Sequence, residues 1–106
     1  MSSARSTCYL LSPAALDDLD DAWRYTTENW SLDQADAYID GLVEVFDTIV
    51  AMPNIARERP EFSPPVHIHS HQSHLVVYTA ERDQIVILRV LGGQQDWQEI
   101  LRATEH

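Results

Sequence analysis

The hydrophobic period of this chain changes midway along it, and that change restricts its fold more than any other feature. From Pro13 to Met52 apolar residues return every three or four positions, as on one face of a helix. From Val66 to Leu91 they gather instead in short β-branched runs. A chain whose first half is helical and whose second half is successive strands falls in the α+β class, with the helices gathered on a face of the sheet. Its 106 residues suit a single domain spanning 1–106, and hydrophobic residues at 44% suffice for one core.

Local signals divide the two halves further. Thr7 to Leu11 reads as a first strand, closed by Ser12-Pro13, where Ser12 suits an N-cap and Pro13 the first helical position. The spacing predicts a helix from Pro13 to about Asn29. Leu16, Leu19, Trp23 and Thr26 or Thr27 should face inward, while Asp17, Asp18, Asp20, Asp21 and Glu28 face outward. Asp17 and Asp18 should also gain from the dipole in the first turns. Ser31 and Gln34 form a capping-box pattern that restarts the helix, and Ala35, Tyr38, Ile39, Leu42, Phe46, Ile49 and Val50 carry its apolar stripe to Met52, before Pro53 ends it. So short a connection makes the two helices an antiparallel hairpin. Gly41 weakens the second helix by roughly 1 kcal/mol relative to Ala, so a close approach to the first helix is expected there.

Residues 54 to 65 hold three prolines and no periodicity, and read as a loop. Val66 to His69, Ser73 to Tyr78 and Ile85 to Leu91 read as an antiparallel meander, with Glu81-Arg82-Asp83-Gln84 as a hairpin connection. Gly92-Gly93 stops the last strand. A short helix from Asp96 to Leu101 should then fold Trp97, Ile100 and Leu101 back on the sheet. The expected order is a strand, a two-helix hairpin packed on a small antiparallel sheet, three strands and a short C-terminal helix.

Charge excludes one class of function. There are 17 acidic residues against seven cations, all Arg, for a net charge of -10. Nucleic-acid binding rests on cations neutralising phosphates, so direct binding to RNA or DNA is not expected. No apolar run reaches the ~20 residues of a membrane helix, and Met1 to Thr7 lacks a basic patch leading into an apolar segment, so a cytosolic chain without membrane contact is expected. Cys8, the only cysteine, reads as a small buried hydrophobe.

His67, His69, His71 and His74 form a tight cluster. Alternation along a strand brings the first three to one side, where they could in principle meet a metal ion, but structural zinc prefers four closed ligands and no Cys is near. Neither a metal nor another cofactor is expected. For cleavage of RNA the sequence offers Arg89 and these histidines as candidate groups, and Arg89, inside a strand, has the alternative of pairing with an acidic neighbour.

Several motifs in order resemble one family. Tyr9-Leu10-Leu11-Ser12-Pro13-Ala14-Ala15 with Asp18-Leu19, then Trp23-Arg24-Tyr25-Thr26, Trp30, Gln34-Ala35 and Tyr38 resemble the first half of the ParE branch of the RelE/ParE toxin superfamily. Ala56-Arg57-Glu58-Arg59, Phe62, Pro64 to His69, Ser73 to Tyr78 and Ile87 to Leu91 resemble its second half. The resemblance implies a β-α-α-β-β-β fold and the toxin of a type II toxin–antitoxin pair. It further implies a non-enzymatic toxin that acts on DNA gyrase by protein binding, and a ParD-like antitoxin that neutralises it. The related RelE branch, which cleaves mRNA on the ribosome, supplies the alternative function. A degenerate copy that only binds its antitoxin is a third. The resemblance implies target contacts at Arg89, Gly92, Gln94, Gln95, Asp96 and Trp97, and antitoxin contacts at Trp23, Tyr38 and Tyr78. The chain departs from relatives at Gly92-Gly93-Gln94-Gln95, where a His and an Arg or Lys are usual, and at His67, which stands where an Arg is common. Weaker inhibition of the target is expected from this loss of cations.

Overall fold

Ser12 organises the start of the fold by capping a helix and holding a strand together. In the computed structural model, which describes residues 9–62, 64–81, 84–93 and 95–103, β1 (Tyr9–Leu11) leads into α1 (Pro13–Asn29). Ser12 Oγ accepts from Ala15 N at 3.0 Å and donates to the Leu88 carbonyl at 2.7 Å. The helix is thus capped and its entry pinned to the last strand by one side chain. Ser31 repeats the cap for α2 (Leu32–Ala51), accepting from Gln34 N at 3.1 Å.

After Pro53 come β2 (Glu58–Arg59), β3 (Val66–His71), β4 (His74–Glu81), β5 (Gln84–Gly92) and α3 (Trp97–Ala103). The strands form one sheet in the order β1-β5-β4-β3-β2. The meander β3-β4-β5 is antiparallel as expected, whereas β1 runs parallel to β5, Tyr9 opposite Ile85 and Leu11 opposite Ile87. A sheet purely antiparallel is therefore corrected to a mixed one. The loop expected from 54 to 65 also holds β2, which pairs Glu58 with His67 and Arg59 with Val66. Two residues carry no readable alternation, so this strand escaped the sequence pattern. Thr7 and Cys8, and the Arg82-Asp83 connection, lie outside the described residues.

Alternation along β4 assigns its residues to two cores. Val76 and Tyr78 face the helical hairpin, where they meet Ala15, Leu42, Phe46, Ile49, Ile85, Ile87 and Val90. Val77 faces the other way into a smaller cluster with Phe62, Val66, Leu91 and Leu101, flanked by Trp97 and Ile100. The expected return of α3 onto the sheet is thus found on the face opposite the hairpin.

The apolar stripe of α1 is turned relative to the expected one. Ala15 and Ala22 are buried while Leu16 stays 53% exposed, and Asp18 points inward. Small alanines let the helix lie close to the sheet, and the longer Leu16 is displaced to the rim. Asp17 and Asp18 fall in the second turn of α1, beyond the N-terminal turn in which the dipole acts most strongly. The close approach expected between Gly41 and α1 is instead to β3: a Cβ on Gly41 would stand 3.4 Å from His71 Nε2. No helix among the described residues is long and apolar enough to cross a membrane.

Candidate functional site

Three arrangements gather the polar and aromatic groups of the molecule. The first lies where β5 outruns its short partner β1. A bulge there leaves Leu88 as an extra residue, since Val77 opposes Arg89 and Tyr78 opposes Ile87. Bulges re-aim the side chains beside them. Arg89 reaches Asp18 of α1, giving Nε to Oδ2 at 2.8 Å and Nη2 to Oδ1 at 3.0 Å, while Val90 N also donates to Oδ2 at 2.8 Å. The hydrogen bonds to the Asp18 carboxylate raise the guanidinium pKa against the opposing cost of burial. Arg89 is therefore a latch between α1 and the sheet edge, the pairing with an acidic neighbour that its strand position allowed.

The second arrangement is the turn after β5. Gly92 N donates to Gln95 Oε1 at 2.6 Å, Gln95 N to the Gly92 carbonyl at 3.0 Å, and Gly93 N to the Ser73 carbonyl at 2.8 Å. Any Cβ on Gly92 would come within 3.3 Å of Gln95 Oε1, so Gly92 leaves room for that side-chain bond. Asp96 caps α3 by accepting from Glu99 N at 3.4 Å. Half-buried Trp97 lies against Phe62, and the Arg59 guanidinium stands 5.8 Å from its ring centre. The structure thus brings Gly92, Gln95, Asp96 and Trp97 together; Gln94 lies outside the described residues.

The third arrangement is a groove of about 440 Å³ where the tip of the helical hairpin meets the β3–β4 turn. Tyr25, Thr26, Trp30, Gln34, Ala37 and Tyr38 line it from the helices, and Gln72, Ser73 and His74 from the turn. Tyr25 and Trp30 are 65% and 69% exposed. Gln72 has φ 52°, a left-handed conformation that is strained in a residue with a side chain. Tyr38 Oη lies 2.5 Å from His74 Nδ1. Burial raises the Tyr38 pKa, with Ser73 opposing, and burial lowers that of His74, with Asp18 opposing. Both shifts favour the uncharged forms, a phenol and a neutral imidazole that share this one hydrogen bond.

The histidines do different jobs. His67 is buried, stacks on Tyr78 at 4.9 Å between ring centres and bonds through Nδ1 to the Ala56 carbonyl at 2.7 Å. His71 turns its Nε2 toward Gly41, and His74 bonds Tyr38. Among the described residues no three His, Cys, Asp or Glu side chains are placed to hold a metal ion.

The antitoxin contacts expected at Trp23, Tyr38 and Tyr78 separate in the structure. Tyr38 lines the groove. Half-buried Trp23 joins the two helices, donating from Nε1 to Asp36 Oδ1 at 3.0 Å. Tyr78 has no exposed surface and donates to the Pro53 carbonyl at 2.8 Å, so the contact expected there is withdrawn: its ring belongs to the core. The groove itself escaped sequence reasoning. Its one signal was the pair Tyr25 and Trp30, large aromatics lying off the buried stripe at a hairpin tip.

The charge around the groove is one-sided. Ten of the seventeen carboxylates but only Arg24 among the arginines lie between Pro13 and Ala51, leaving the hairpin at -9. Arg24 is itself paired to Asp20 and Asp21.

Comparison with known proteins gives this geometry a family. The description "ParE toxin of type II toxin-antitoxin system, parDE" matches residues 9–97. This chain belongs to the ParE toxin family. It is 35% identical over 92 residues to Toxin ParE1 of Mycobacterium tuberculosis, covering 86% of this chain and 94% of that one. It is 30% identical over 79 residues to Toxin ParE3 of Caulobacter vibrioides, covering 74% of this chain and 79% of the relative. A chain of the chromosomal ParDE TA system from P. aeruginosa shares the fold, with a TM-score of 0.69 at 19% identity over 81% of this chain and 96% of that chain. The ParE match runs from the first residue of β1 to the first of α3, and so takes in the Arg89 latch, the turn and the groove. Within this ParE fold the groove presents aromatic faces, amides and hydroxyls, while the Arg89 latch is spent on Asp18.

Proposed function

We propose that this ParE-family chain is a toxin that inhibits DNA gyrase by binding it, without catalysis, and that a ParD-like antitoxin neutralises it. The observation that carries the non-catalytic reading is the state of Arg89. A ribonuclease of the RelE kind needs cations facing the developing negative charge on phosphorus. Here Arg89, on β5, spends both arms of its fork on Asp18, and the neighbouring hairpin would repel a phosphate backbone.

The target surface in this reading is the turn of Gly92, Gln94, Gln95, Asp96 and Trp97, with Arg89 holding the strand beneath it. The missing cations at this turn make inhibition weaker than in relatives that have them, by about tenfold or more per lost charge-assisted contact. The antitoxin presents Arg and Lys to the acidic hairpin, and its association slows as salt rises. Both partners place the chain's work in the cytoplasm.

The test is expression in bacteria with gyrase supercoiling and mRNA integrity assayed side by side, with and without any small ParD-like open reading frame found beside the gene. Lost supercoiling with intact mRNA, rescued by the neighbour, is expected. Cleaved mRNA would replace this reading with the RelE one. Neither effect, together with a stable complex, would leave a copy that only binds its antitoxin.

A further inference from the structure

The groove at the hairpin tip is a better guide to its occupant than an apolar patch alone would be. Its described lining contains aromatic faces, amides and hydroxyls but no arginine and no carboxylate. Exposed Glu28, Asp33 and Asp36 lie one or two positions along the chain from lining residues, on an element that carries -9. Trp and Tyr faces attract a cation through their quadrupoles, and a negative field adds to that attraction. The same chain already makes such a contact on its far side, where Arg59 stands 5.8 Å from the Trp97 ring.

We propose that the groove receives an arginine side chain of the antitoxin, its guanidinium plane laid against Trp30 and Tyr25. This rests on the reading of the chain as an antitoxin-bound toxin. A guanidinium fits better than an ammonium because it is planar, less strongly hydrated, and able to stack while its edge donates to several acceptors. Tyr38, Ser73, Gln34 and Gln72 supply oxygen atoms around the groove for such an edge. A purely aliphatic side chain would gain nothing from the acidic field, and a phosphate would be repelled by it. His74 offers little competing charge at neutral pH, since it is half-buried against Tyr38 and that burial disfavours its charged form.

The experiment uses the full chain, labelled with ¹⁵N, and two probes: acetylated tetra-arginine amide and tetra-lysine amide. The expected result is shifts concentrated at the Trp30 indole and at Tyr38, Ser73 and His74, tighter for the arginine probe. Trp30→Ala should weaken binding about threefold to tenfold. Trp30 is largely exposed, so an unchanged Tm is expected for the variant. Shifts spread evenly along the outer carboxylates of α1 and α2, with no effect of Trp30→Ala, would overturn the proposal. A second arm measures the complex with the operon neighbour. If the complex forms and its Kd is the same with Trp30→Ala, the groove inference falls while the antitoxin reading stands. If no complex forms but the probe shifts are as expected, the antitoxin reading falls and with it the source of the arginine.

Discussion

One face of the sheet is covered by helices of 17 and 20 residues, the other by a helix of seven residues and one loop phenylalanine, Phe62. The two faces differ in more than size. The hairpin carries its own caps at Ser12 and Ser31 and its own apolar stripe, so its helices have local reasons to form. A seven-residue helix is too short to hold in water alone. α3 exists because Leu101, Ile100 and Trp97 find Val77, Leu91 and Phe62. The hairpin face therefore sets global stability, and the α3 face behaves as a dependent layer next to the proposed target surface.

That contrast can be broken most sharply at Phe46, which is fully buried on the hairpin face and edge-on to Tyr9 at 5.2 Å. Phe46→Ala is expected to cost about 3–5 kcal/mol, read from urea unfolding, and to lower the transition for the whole molecule. A loss confined to local opening would mean that the faces are not ranked as described. Next in size is Asp18→Ala, which leaves Arg89 and Val90 N without their acceptor. With Arg89 only 21% exposed, a loss of about 2–3 kcal/mol is expected. By contrast Arg24→Ala removes ion pairs more than half exposed at each side chain, and should change stability by less than about 1 kcal/mol.

Leu101→Ala sharpens the other side of the comparison. It should cost about 2 kcal/mol, seen in hydrogen exchange as faster opening of α3 while the amides of α1 and α2 keep their protection. Equal acceleration everywhere would make the two faces one cooperative unit. The smallest expected effect is that of pH. His74 is held below the ordinary imidazole range by burial, with Asp18 pulling the other way and His71 adding to the fall. Its contribution is therefore complete above the unfolded value near 6.5 and is lost as pH falls through the folded one. The urea midpoint should drop between pH 7 and pH 5, and His74→Gln should flatten that dependence.

What was legible in the sequence was local. Ser12-Pro13, Ser31 with Gln34, and Pro53 mark helix ends through bonds spanning three or four residues, and both helices lie within a residue or two of where these signals put them. The family, too, was legible, because motif order runs the length of the chain. Contacts between distant segments were not. The parallel pairing of β1 joins positions 76 apart, as in Tyr9 with Ile85, and nothing in either strand names the other. Asp18 looked like one more outward carboxylate in an acidic run, and only the bulge at Leu88 turns Arg89 to meet it. Gly41 signalled a close approach without saying to what. The groove is assembled from the ends of two helices and a turn with a strained Gln72, three pieces that no periodicity links.

The pairing of β1 with β5 also sets an order of events during synthesis. Residues 9–11 leave the ribosome ahead of every other strand, yet their partner strand is made 76 residues later, roughly 4–15 s on at translation rates of about 5–20 residues per second. The hairpin of α1 and α2, whose contacts are local, can assemble in that interval. The sheet cannot. Its first strand must wait unpaired until residues 85–87 arrive, and the turn that follows β5 is built later still. A nascent ParE-family chain of this kind thus displays its acidic hairpin, the face proposed to meet an antitoxin, before it owns the end of the sheet proposed to meet its target.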